Sequence, residues 1–118
     1  MKAIILKEQG DVSNLILAEL PIPSPAALEV LVKVKAVAIN PADTYIRKFE
    51  SLDYVFNGER PRIMGWDVAG VVTEIGVGVS EFKVGDEVFG TINYPRLDRP
   101  GHGKGYAEYV TAPVGDLA

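Results

Sequence analysis

PRIMGWDVAGVVTEIGVGVSEFKVGDEVFG, Pro61 to Gly90, is the stretch on which the fold of this 118-residue chain turns. Val68, Ala69, Val71, Val72 and Ile75 make a continuous apolar run, the pattern of a strand covered on both faces. Gly70 sits inside that run, where a missing side chain lets another backbone come close. Gly76 and Gly78 punctuate it, Phe82 and Val84 resume the apolar pattern, and Gly85-Asp86 marks a second tight turn. Glu87 to Phe89 then starts another strand. Two buried strands joined by glycine-rich turns in so short a span predict a curled, barrel-like β domain.

Upstream, Lys2 to Lys7 and Leu15 to Leu20 read as strands separated by the turn residues Gly10, Asp11, Ser13 and Asn14. Pro21, Pro23 and Pro25 lack backbone donors and predict an extended surface connection. Glu29 to Ile39 is the clearest strand: Val30, Val32, Val34, Ala36 and Ala38 alternate with Lys33 and Lys35. It is expected to be half-buried at its start and more fully covered towards Ile39. Asn40-Pro41-Ala42-Asp43 has the chemistry of a helix start, with a capping Asn, a Pro pre-set for the first turn and an acid at the positive end of the dipole. Ala42, Tyr45, Ile46 and Phe49 then share one apolar helical face, over about two turns. Glu50 to Arg60 shows no clear period and reads as a loop. Pro95 to Gly105 reads as a flexible polar loop, and Tyr106 to Thr111 as a last strand.

One domain of this length buries roughly two-thirds of its unfolded surface, enough for a core without staples. Sixteen acids against twelve bases, with no basic cluster, argue against nucleic acid or an anionic membrane as partner. No apolar run reaches the length of a span, and the opening AIIL runs straight into Lys7 and Glu8, so a soluble cytoplasmic protein is expected. The chain has no cysteine, which excludes disulfides and thiol chemistry.

The order G-W-D-V-A-G-V-V-x-x-I-G-x-G-V-x-x-F-x-V-G-D-x-V-F-G resembles the medium-chain dehydrogenase/reductase superfamily in its N-terminal GroES-like catalytic domain. AVAINPADTYIR, Ala36 to Arg47, resembles the zinc-free quinone oxidoreductase branch, and GYAEYVTAP, Gly105 to Pro113, the strand that the family carries there. The resemblance implies a mainly β, partly open barrel with short helices, like the N-terminal domain of alcohol dehydrogenases. In the family a nucleotide-binding Rossmann domain follows. Neither Gly76-Val-Gly78 nor Gly101-His-Gly103-Lys-Gly105 has the spacing and the following helix of a phosphate loop, so residues 1–118 are expected to lack that domain. The resemblance implies that they are the catalytic, substrate-side part of a longer NADPH-dependent enzyme, inactive alone, which reduces quinones or enones by hydride transfer.

A zinc site needs three or four thiolate, imidazole or carboxylate ligands converging at about 2.0–2.3 Å. The chain has one histidine, His102, which its glycine neighbours mark as an exposed loop residue. In zinc-bearing relatives the positions matching Asn40 and Trp66 are cysteine and histidine ligands, so no metal is expected. A carbonyl oxygen must then be polarised by hydrogen-bond donors. Tyr45 is the catalytic candidate whose phenol can donate, and Asn40 offers an amide to the nicotinamide or the substrate. In the family these two motif positions lie beside both; each also reads plainly as core or cap. Arg47 is a candidate for a cofactor phosphate, set against a simple solvated arginine. Trp66 and Asp67 are candidates for the cleft, set against apolar packing and a bond to backbone. Asp43 reads as a structural helix-start acid. The barrel used without catalysis, as a binding or assembly module, is the alternative; a homodimer through an apolar flank or through the last strand is also expected.

Overall fold

In the computed structural model all residues from Met1 to Ala118 are described. The chain runs β1 (Lys2–Leu6), β2 (Leu15–Glu19), β3 (Glu29–Ala38), α1 (Pro41–Lys48), a 3₁₀ segment Glu50–Phe56, β4 (Arg62–Ile63), β5 (Asp67–Ile75), β6 (Glu87–Thr91) and β7 (Tyr109–Pro113). Two antiparallel sheets result, ordered β2-β1-β4 and β6-β5-β3-β7. The segment before β7 joins them: Ile4 N–H donates to the Tyr106 carbonyl at 2.8 Å and Glu108 N–H to that of Lys2 at 3.0 Å. After β7 the chain crosses over the barrel end, and Ala118 exchanges two backbone hydrogen bonds with Phe89 of β6, at 2.9 and 3.0 Å. The larger sheet thereby curls back on itself, giving the expected partly open barrel.

β-branched residues fill the barrel. Val30, Val32, Val68, Val72, Val88, Ile92, Val110 and Ala112 form its core. A Cβ on Gly70 would stand 2.1 Å from the Lys33 carbonyl oxygen, which is why β3 and β5 can press together there. A second core of Leu6, Ile46, Val55, Phe56, Met64 and Trp66 lies under α1 and the 3₁₀ segment.

Three expectations fail. β3 is buried at its start, and Ile39 beyond its end is 77% exposed, the reverse of the predicted gradient. The reason is its partner: β7 covers only Glu29 to Lys33. Glu50–Phe56 is helical where a loop was expected, since Val55 and Phe56 dock into the second core. Much of the Gly101–Gly105 segment is packed inside the molecule, His102 included.

Candidate functional site

The strand register brings the site together. Ala38 of β3 pairs with Asp67, and Asp67 with Thr91 of β6, so three strand ends lie side by side where α1 begins. Asn40 has the extended backbone of an N-cap and Pro41 opens the helix. The Asp43 carboxylate accepts the Asn40 backbone N–H at 2.8 Å and the Tyr106 hydroxyl at 3.0 Å. Asp43 is 5% exposed, so these bonds stand in for water. Tyr106 is a weaker acid than usual, because burial and then the Asp43 charge oppose its ionisation.

Asn40 Nδ2 donates to Asp67 Oδ2 at 2.7 Å, and Thr91 Oγ1 donates to Asp67 Oδ1 at 2.5 Å. A carboxylate only accepts, so the amide of Asn40 must turn its nitrogen towards Asp67. Asp67 thus bonds side chains and not backbone. Thr91 was missed in the sequence because only strand pairing places it there.

Tyr45 faces elsewhere. It is 56% exposed, stacks on Phe49 with ring centroids 6.2 Å apart, and lines an apolar hollow of about 410 Å³. Ile46, Tyr54, Tyr94, Arg96 and Leu97 also line it, whereas Asn40 and Asp67 do not. Trp66 is fully covered, donates from its indole to the Gly101 carbonyl at 3.1 Å, and meets Tyr94 edge-on at 6.4 Å. It therefore backs the hollow from within the second core and does not line the hollow itself. The Arg47 guanidinium donates to the Gly10 carbonyl in the connection between β1 and β2, so it is half-buried and tied to backbone.

The structure corrects the reading of His102. The ring is 7% exposed, with Nε2 2.9 Å from the Ile63 carbonyl oxygen and 3.2 Å from its amide nitrogen, and Nδ1 3.3 Å from Glu59 Oε2. Burial, reinforced by the Lys104 charge, pushes its pKa down; Glu59 opposes that. Lys104 in turn bonds Glu59 at 2.5 Å and holds that carboxyl below its usual range. No group of three or more His, Asp or Glu side chains is arranged to hold a metal ion. No helix is long and apolar enough to cross a membrane.

The result is a curled antiparallel barrel, with one helix rising from its strand ends beside an aromatic hollow. Residues 26–118 match the alcohol dehydrogenase GroES-like domain family. The quinone oxidoreductase of Lama guanicoe is 40% identical over 113 residues, covering 95% of this chain and 31% of its own. The chloroplastic NADPH-dependent alkenal/one oxidoreductase of Arabidopsis thaliana is 37% identical, covering 93% and 28%. The structure of the quinone oxidoreductase from Coxiella burnetii superposes with a TM-score of 0.83 at 32% identity, over 100% of this chain and 36% of that one. The chain belongs to the alcohol dehydrogenase GroES-like domain family, in the quinone oxidoreductase branch of the medium-chain dehydrogenase/reductase superfamily. It spans about a third of the length of these relatives.

Proposed function

We propose that residues 1–118 are the substrate-side domain of an NADPH-dependent, zinc-independent reductase of quinones or activated double bonds, and work only together with a nucleotide-binding domain. One observation carries the reading: in a domain of this branch, α1 starts on a capping amide and, about one turn on, carries an exposed phenol that opens onto an apolar hollow. The donor chemistry supports zinc independence. Trp66 has only an N–H to offer, already given to Gly101, and the Asn40 amide nitrogen is given to Asp67.

NADPH, when bound, supplies the hydride. The residues of this chain do the rest. Tyr45 donates its phenolic hydrogen to the oxygen that gains negative charge, a stabilisation present in the transition state and weak before it. Asn40, its amide fixed by Asp67, which Thr91 holds in turn, carries the carboxamide of the cofactor. The apolar walls around Tyr45 orient the acceptor.

The test uses the longer protein of which these residues form the first domain. It is expected to oxidise NADPH with 1,4-naphthoquinone or an enone, with no loss on treatment with a zinc chelator. Tyr45→Phe is expected to lower kcat/KM about a hundredfold, mostly in kcat. Unchanged kcat/KM in that variant, or loss of turnover to the chelator, would overturn the reading.

A further inference from the structure

We propose that the hollow beside Tyr45 is built for a flat ring ligand carrying an anionic oxygen, and that Arg96 selects the charge. The inference rests on the reading of this domain as the substrate side and names the ligand class more narrowly. Three observations carry it. The hollow, about 410 Å³, has the size of a small-molecule site, and Ile46 and Val55 of the second core form an apolar floor. Tyr45, Tyr54 and Tyr94 line it, three aromatic rings against which a flat ring can pack. The phenols of these three tyrosines carry no hydrogen bond within the protein, unlike that of Tyr106.

Charge decides the rest. Arg96 is the one charged residue lining the hollow, and no carboxylate lines it. Its guanidinium forms no salt bridge, whereas Arg60 and Arg62 are both paired with Asp53. The Arg96 backbone is fixed by reciprocal bonds to Arg99, 2.9 and 3.2 Å, in a hairpin whose tip carries Leu97 in full contact with solvent. A ligand seated against the tyrosines would cover that leucine and bring an anionic oxygen to the guanidinium, which suits planar oxygen acceptors.

The experiment titrates the 118-residue chain by calorimetry with 2-hydroxy-1,4-naphthoquinone, an anion at pH 7.5, and with neutral 1,4-naphthoquinone. The chain has no cysteine for either to alkylate. The anion is expected to bind about fivefold tighter, with the margin shrinking as salt is added. Arg96→Met is expected to erase the margin and leave the neutral probe's affinity unchanged, while Tyr54→Ala weakens both. Equal affinity for the two probes, a margin that survives Arg96→Met, no binding of either, or affinities unmoved by Tyr54→Ala would each overturn the proposal. Binding needs no nicotinamide. A charge preference without NADPH-dependent turnover in the longer protein would therefore end the reductase reading and keep the hollow. Turnover indifferent to ligand charge would do the reverse.

Discussion

His102 is held where a positive charge is costly, between the Ile63 peptide and the Glu59 carboxylate and edge-on to Phe56 at 5.1 Å. Its pKa is depressed in the fold, so below the ordinary value of 6.5 the unfolded chain binds more protons than the native one. The stability it contributes is complete above that value and is lost as pH falls below it. Glu59 and the other lowered carboxyls lose theirs only below about their ordinary 3.8 to 4.5. Thermal midpoints are therefore expected to fall between pH 7 and pH 5 in the parent, and to stay nearly flat there in His102→Gln; parallel curves would remove the role. The sequence misled here for a physical reason. Glycines mark close backbone approach as readily as an open turn: a Cβ on Gly103 would stand 2.4 Å from the Gly65 carbonyl oxygen.

At the scale of one element, α1 owes its placement to a carboxylate that its own first turn supplies. Asp43 ties the cap to Tyr106, far along the chain, and its own carboxylate is buried. Tyr106→Phe leaves a buried carboxylate one donor short. It is expected to cost about 1–2 kcal/mol, read as a lower urea midpoint at unchanged slope. An unchanged midpoint would mean that water replaces the phenol. The helix start was legible because N-P-x-D is local chemistry, and so were the strands Lys2–Leu6, Glu29–Ala38 and Asp67–Ile75, which carry their own apolar pattern. What packs on each was not legible. The cover on β3 depends on where β7 stops, and the site partners Thr91 and Tyr106 arrive through pairings remote in sequence. The 3₁₀ segment did leave a trace, Leu52 and Val55 three residues apart, too short to outweigh the polar residues between them.

The whole molecule is a sheet persuaded to close. Leu117 packs against the valine core and Ala118 pairs with Phe89, while a Cβ on Gly90 would collide with the Asp116 carbonyl at 2.0 Å. Removing Leu117 and Ala118 takes away three backbone hydrogen bonds, two to Phe89 and one to Val114, and one half-buried leucine. The expected loss is about 2 kcal/mol, or roughly 10 °C in Tm, with faster amide exchange at Phe89. A Tm unchanged by that deletion would show that the barrel holds without its last closure. The single tryptophan carries a different consequence. Its indole lies in dry surroundings, tied to the Gly101 carbonyl and touching Tyr94 at the rim of the hollow. The domain is thus fitted with its own lamp: blue emission when the 94–101 segment is seated, a redder one when that segment lifts, with no dye attached.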